Sequence, residues 1–469
     1  MTIDRADIER ITLVVFGLLV PIALGSSLTI FNDGDVRWHI AAGQWMLDHR
    51  AVPYSDPFSF TFAGQPWTAF EWGSQLIFGA AWRLAGFGAV AAVVTAALVA
   101  LHLMIVAEAR RWVGPLGIAV TVILLNLILI PMILARPHLL GWVMLAVWLE
   151  LLLRARDANR TPPLIAAALM ILWANFHGSF AIGLVIAAVV ALDACIEVQW
   201  RWPVVRGWLI FGIVSAMGAM VTPNGLHGFL HPLTVAQLET LPLIVEWRPS
   251  DWGRTPYFFV ALGMAALLMA WRGVRLRPVM AGLLALLLAM ALFQMRHQAM
   301  LAIVAAMLLP RAMARGERGA LFAEPQQRRM VAAGLASALT GLLLFRILTP
   351  LEPAENGANP KSAIAALPAE LRTAPGLNGY GFGGPLILAG IKPYIDGRQD
   401  MYGDAFFADY QRLLDGDRAA FDRAARRYDL QWTMLPPRYE ALIGRLDSDP
   451  AWERIYADKV AVIHRRRRI

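Results

Sequence analysis

The chain is 469 residues long, 58% hydrophobic and only 16% charged, with a mean hydropathy of +0.53. Such a composition excludes a soluble globular protein and places the chain among integral membrane proteins. A formal net charge of +8 would point to nucleic acid in a soluble protein, but here the basic residues fall between apolar runs and read as topology signals.

Apolar runs near the ~20 residues that a helix needs to cross a bilayer predict a mainly α, polytopic transmembrane bundle. They cover 11–31, 86–107, 115–134, 139–153, 163–176, 179–199, 207–222, 256–271, 278–294, 297–313 and 330–349, about eleven spans. The first does not read as a signal peptide: Asp4, Asp7 and Glu9 dilute its positive region, and no small-residue cleavage pattern precedes the charged loop after it. Arg5 and Arg10, Arg110 and Arg111, Arg154 and Arg156, Arg201 and Arg206, Arg272, Arg275 and Arg277, then Arg311, Arg315, Arg318, Arg328 and Arg329 occupy every second gap. The positive-inside rule assigns those gaps to the cytoplasm. The expected topology is a multi-pass protein of a bacterial inner (plasma) membrane, with its N-terminus cytoplasmic and everything after residue 349 periplasmic. Cys195, the lone cysteine, lies in an apolar span, so neither a disulfide framework nor a thiolate metal site is available.

The first and longest external loop, 32–85, belongs to a transmembrane domain of residues 1–349. Within it, 36–49 suits a helix lying in the membrane interface, with Val36, Ile40 and Leu47 on one stripe, Trp38 and Trp45 beside it, and Arg37, Gln44 and Asp48 exposed. Asp33 and Asp35 stand at its N-terminus. Either can cap the helix, yet one acid suffices for a cap, and a carboxylate beside a membrane cavity can take a proton from an attacking hydroxyl. His39 follows Asp35 by one turn, so the pair can share a proton or a divalent ion. Asp33, Asp35 and His39 are therefore the candidates for holding a divalent Mg or Mn ion, and the sequence itself fixes no cofactor. Farther along, Asp56 before Pro57 shapes a turn, and Glu71 starts the helix returning to the membrane, as a cap or as a substrate ligand.

The other external gaps carry "ARPHLLG" (Arg136, His138), "WANFHGSF" (Asn175, His177), "TPNGLHGFLHP" with "EWRPSDW" (Asn224, His227, His231, Glu246, Asp251) and "FQMRHQ" (Arg296, His297). Polar groups at membrane depth are costly and mark cavities or substrate paths. Chance would scatter them between the two sides, so their shared side implies one site. Arg136, His138, His177, Arg296 and His297 are cationic or potentially cationic, as binding a phosphate at the bilayer surface requires. For any one of them, snorkelling to lipid headgroups is the competing explanation.

After the Pro-rich linker "TPLEPAENGANPKS", residues 350–469 alternate β-like runs ("KPYID", "LQWTML", "KVAVIH") with helical stretches such as "DRAAFDRAARRYD". This pattern predicts a small extracytoplasmic α/β domain. "YIDGRQDMYGD" sets Asp396, Arg398, Asp400, Tyr402 and Asp404 at the end of an expected strand, a common place for binding residues. Asp396, Arg398 and Tyr402 join His39, Glu71, Asn224 and Glu246 as substrate-binding candidates. The "GYGFGG" of 379–384 follows no clear strand and is discounted as a phosphate loop.

Taken in order, "DGDVRWHIAAGQWM", "PYSDPFSFT", "PWTAFEW", "RPHLLG", "ANFHGS", "PNG", "EWRP" and "YIDGRQDMYG" resemble a bacterial branch of the GT-C glycosyltransferases across essentially the whole chain. The resemblance implies an enzyme that takes a sugar from a polyprenyl phosphate to an acceptor glycan, lipid or protein at the outer face, with an acid of the first external loop as base or metal ligand. On that reading Asp35 or Asp33 is the base, Arg136, His138, His177, Arg296 and His297 bind the donor phosphate, and the C-terminal domain helps form the acceptor side. No subfamily signature matches. Two other readings remain: a flippase or transporter of a lipid-linked saccharide, and an inactive homologue acting as an assembly partner.

Overall fold

The computed structural model describes residues 5–314, 336–337, 340–341 and 343–467. Much of the expected eleventh span, 330–349, and the arginines from Arg315 to Arg329 lie outside them. The protein is mainly helical. Among the described residues six helices are long and apolar enough to cross a membrane: Ile8–Gly25, Trp72–Ala109, Pro115–Met132, His138–Asp157, Phe180–Glu197 and Trp202–Ala219. Leu164–Phe176, Pro256–Arg272 and Pro278–Phe293 are apolar but shorter. Two of these stop where the chain unwinds toward the polar segments singled out above. His177 ends one with φ −165° and ψ 140°, and Gln294 ends another with φ −146° and ψ 123°.

The first-loop helix, here α1, spans Asp35–His49 and ends on Arg50 in the left-handed region. Asp48 is exposed as expected, but the N-terminal half of the helix presents no polar face to water. Val36 to Gly43 are all buried, because the helix is packed between α2 (Trp72–Ala109) and the short helix Gly383–Leu388. Arg37, expected on the exposed face, is only 3% exposed. Its guanidinium donates to the Ala358 carbonyl at 2.9 Å and lies 5.4 Å from the Phe87 ring centroid. α1 and α2 cross at Gly43 and Gly79. A Cβ on Gly43 would stand 2.7 Å from the Gln75 carbonyl carbon and 2.8 Å from the Gly79 nitrogen, so the two backbones touch at a point only glycine permits. α2 is broken at Ala85 and Gly86, where Gly86 takes φ +57°; the part before the break therefore turns before the predicted apolar run begins.

Residues 376–466 contain a four-stranded sheet ordered β1-β2-β4-β3. β1 (Gly376–Asn378) runs parallel to β2 (Trp432–Leu435), and β4 (Val462–Arg466) pairs antiparallel with both β2 and β3 (Trp452–Ala457). "LQWTML" and "KVAVIH" supply strands as expected, and the helix Arg418–Tyr428 starts on Asp417, whose side chain accepts from the Ala420 amide. "KPYID" is not a strand. The buried Asn378 amide replaces a sheet partner there, accepting from Tyr394 N at 2.7 Å and donating to Ile395 O at 2.8 Å. The glycine run has a packing role: a Cβ on Gly34 would lie 3.0 Å from the Gly381 carbonyl carbon, and one on Gly384 would lie 3.0 Å from that of Gly34. The start of α1 is thus seated directly against the C-terminal layer.

Candidate active site

The "LARPH" turn is tied to the first loop by Ala135 N, which donates to Ile30 O at 2.8 Å. That link carries Arg136 to the N-terminus of α1. The Arg136 guanidinium meets Asp33 at 3.1 Å, Asp35 at 3.2 Å and Glu246 at 3.0 Å. Asp33, Asp35 and Arg136 side chains remain 18–20% exposed, so the cluster lines an open recess rather than a sealed core. The two acids differ in what they do locally. Asp33 Oδ1 accepts the Asp35 amide at 2.7 Å and its Oδ2 faces Arg136, so both its oxygens are engaged in holding the turn. Asp35 caps nothing. Burial, reinforced by the Asp33 charge and opposed by Arg136, pushes its carboxyl up to about 7. For Glu246 burial works the same way, but Arg136 and Arg296 outweigh it and hold the carboxyl below its ordinary range.

Three carboxylates around one point resemble the donor set of a hard divalent cation. Here the guanidinium of Arg136 fills the centre. His39 turns away, with Nδ1 3.4 Å from Gln75 Nε2, and among the described residues no group of three His, Cys, Asp or Glu side chains is arranged to hold a metal. The set Asp33, Asp35 and His39 therefore does not fit a divalent ion in this arrangement, and no chemical step is routed through one.

The phosphate-binding candidates separate in the same way. His177 Nδ1 faces the Ser179 backbone N–H at 3.1 Å and the Ser179 hydroxyl at 2.8 Å. A backbone amide only donates, so Nδ1 carries no proton and His177 is neutral. Burial first, then Arg296, His138 and Arg136, hold it well below its usual range. Its Nε2 points at Glu71 Oε1, 3.5 Å away, and burial pushes the Glu71 carboxyl up to about 8. His138 Nε2 donates to the Met132 carbonyl at 2.9 Å. His297 is bound to Gln294 Oε1 at 3.0 Å, and burial followed by Arg296 brings it down to about 4. These imidazoles are engaged as hydrogen-bonding groups. Arg296 is different. Its guanidinium stacks over Trp247, 4.0 Å from the ring centroid, and pairs with no carboxylate among the described residues.

Asp396, Arg398 and Tyr402, expected to meet substrate, are instead closed inside the protein. Arg398 binds Asp396 through Nε at 2.8 Å and a terminal nitrogen at 2.6 Å, and reaches Asp56 at 2.7 Å. Its guanidinium sits 5.1 Å from the Phe58 centroid and 4.8 Å from that of Trp67. Tyr402 donates to Asp396 at 2.8 Å. Charges this deeply buried survive only when fully paired. What they accomplish is to fix Gly397 against Asp35: a Cβ there would stand 2.5 Å from Asp35 Cγ and 2.8 Å from Trp38 Nε1. Asp56, read from sequence only as a turn residue, is the other half of this clamp. Asn224 stands half-exposed at the start of the helix Gly225–Val235 without a side-chain cap bond, and among the described residues it makes no contact with the cluster. Asp400 pairs with His231 at 3.3 Å, and Asp404 accepts from the amides of Glu239 and Thr240 at 3.0 and 2.9 Å.

No protein-family model matches the sequence, and no curated protein matches it. Solved structures do. The apo oligosaccharyltransferase of Archaeoglobus fulgidus aligns with a TM-score of 0.53 at 13% identity, over 91% of this chain and 70% of its own. The AglB oligosaccharyltransferase from the same organism, in complex with an inhibitory peptide and a dolichol-phosphate, aligns with a TM-score of 0.51 at 13% identity, over 92% of this chain and 70% of its own. At that identity the likeness speaks for the fold, and it is the fold that the ordered motifs resemble. What the chain shares with these two oligosaccharyltransferases is therefore the architecture.

Proposed function

We propose that this protein transfers one sugar from a polyprenyl-phosphate donor to an acceptor at the outer face of a bacterial inner membrane. The proposal includes a cytoplasmic N-terminus, about eleven spans and a periplasmic C-terminal domain over 350–469. The observation that carries the reading is the Asp35 carboxyl, set at the N-terminus of an external-loop helix, ion-paired to Arg136 at 3.2 Å and poised at about 7. A base works best near the ambient pH. The fold shared with a dolichol-phosphate-bound oligosaccharyltransferase supports the donor class.

The chemistry is an inverting displacement. The acceptor oxygen attacks the anomeric carbon from the face opposite the phosphate and Asp35 takes its proton. The carbon–oxygen bond to phosphate breaks, and the polyprenyl phosphate leaves with the electron pair. Arg296, which lies over Trp247 and pairs with no carboxylate among the described residues, neutralises the departing phosphate. Arg136 keeps Asp33, Asp35 and Glu246 together, and the neutral His177 positions Glu71 beside them. The clamp of Asp56, Arg398 and Asp396 sets the C-terminal layer over Asp35, which makes that layer the acceptor side.

Transfer of a labelled sugar from polyprenyl phosphate by the purified protein tests the reading. Asp35→Asn abolishes transfer while donor binding survives; Asp33→Asn weakens it by loosening the turn. Full transfer by Asp35→Asn would remove Asp35 as the base.

A further inference from the structure

Glu246 and Trp247 are neighbours on one short turn, Val245–Trp247, and each engages a different arginine of the site. Glu246 Oε2 lies 3.0 Å from Arg136, and the Trp247 ring lies under Arg296. The turn itself is firmly attached. Arg248 donates to Pro242 O at 2.9 Å, and Met295 N donates to Arg248 O at 3.0 Å, next to Arg296 in the chain. The Glu246 side chain, by contrast, is 36% exposed, so it can rotate away while Trp247 stays. Glu246 thus places a carboxylate on Arg136 while the residue beside it carries Arg296. A carboxylate and a phosphate ask for the same partners, bidentate or paired N–H donors with positive charge.

We propose that the Glu246 carboxylate occupies the seat of the donor phosphate in the resting protein, and that the incoming phosphate monoester displaces it from Arg136 and joins Arg296. This deepens the reading given above and rests on it. The purpose is electrostatic. Asp33 and Asp35 already pair with Arg136, so Glu246 is a third carboxylate on that guanidinium, one that an incoming phosphate can replace without leaving the cation uncompensated. Glu246 holds this place until a phosphate arrives, and its return after transfer helps to expel the polyprenyl phosphate product. Glu246 is therefore a positioning residue that competes with substrate, opposite in sign to a substrate ligand.

The sign makes the proposal testable. Binding of farnesyl phosphate, with farnesol as the uncharged control, is measured by Trp fluorescence on the purified full chain in detergent. Glu246→Gln, which keeps the shape and loses the charge, tightens farnesyl phosphate binding on the order of tenfold, and in the transfer assay KM and kcat both fall because product leaves more slowly. Should Glu246→Gln fail to fold, Glu246→Asp serves: the shorter carboxylate reaches Arg136 less well, so it too binds the phosphate more tightly than the wild type. Binding that is unchanged or weaker in the folded variant overturns the proposal. If the wild type does not distinguish farnesyl phosphate from farnesol, the lipid-phosphate reading itself fails and the proposal falls with it; discrimination without tightening overturns the proposal alone.

Discussion

Gly397→Ala adds one methyl group at the point where the C-terminal layer meets Asp35. That carbon would stand 2.5 Å from Asp35 Cγ, whereas non-bonded carbons rest about 3.5–4.0 Å apart. The difference, about 1 Å, must be absorbed by one side of the contact. Gly397 has no left-handed backbone angle, so alanine meets no torsional penalty and the effect is steric alone. The loop cannot retreat easily, because Asp396 and Arg398 on either side are fully buried and joined to each other and to Asp56. Asp35 is partly exposed and moves instead. A catalytic group misplaced by ~1 Å costs on the order of a hundredfold in rate, and overpacking costs about 1–3 kcal/mol of stability. Initial rates of sugar transfer, with thermal unfolding on the same preparation, read both terms. Gly444→Ala is the control, since a Cβ there meets nothing within 4 Å. Transfer at the wild-type rate in Gly397→Ala would refute the claim that this contact sets the position of the base.

Arg398→Met leaves Asp56 and Asp396 buried without their cation, and breaking such a pair costs about 3–5 kcal/mol; thermal unfolding in detergent checks this, and a loss well under that range contradicts the clamp. Because burial and Asp33 push Asp35 up to about 7 against the pull of Arg136, and because a base acts only when ionised, the transfer rate rises with pH from 5 to 8 with its midpoint near 7; a flat profile across that range rules out Asp35 as the titrating base. Glu71 is pushed by burial to about 8 and is neutral at pH 7, so Glu71→Gln presents the same acceptor to His177 and keeps stability within about 1 kcal/mol of the wild type. Glu71→Lys places a cation in the same buried position and unfolds the protein; equal melting temperatures for the two variants would contradict a neutral Glu71.

The legible parts of this protein were those encoded locally. The first-loop helix could be read almost to the residue, because Asp33 and Asp35 mark its start and the apolar spacing follows. The gathering of Asp33, Asp35, Arg136 and Glu246 was visible through sidedness, since alternate gaps carried the arginine clusters. Hydropathy also placed the ends of the apolar runs at 176 and 294, where the helices stop. The backbone angles at which His177 and Gln294 leave the helix were not in the composition. Burial of Arg37 was hidden because its partner Ala358 is 321 positions away. The pairing of Asp56 with Arg398, 342 positions apart, turned apparent substrate ligands into a clamp. Asn378 has no local signature as a surrogate strand. The glycines at 34, 381, 384 and 397 were available as a signal, since a run of residues without side chains marks a close approach of backbones as readily as a phosphate loop.

The most direct test is a structure of the full chain bound to a polyprenyl-phosphate sugar. The predicted result has the phosphate on Arg296 beside Trp247, Glu246 turned out of the recess, and the anomeric carbon facing Asp35 with room for an acceptor oxygen between them. A phosphate bound near the inner ends of the helices, or a sugar held out of reach of Asp35, would contradict the account.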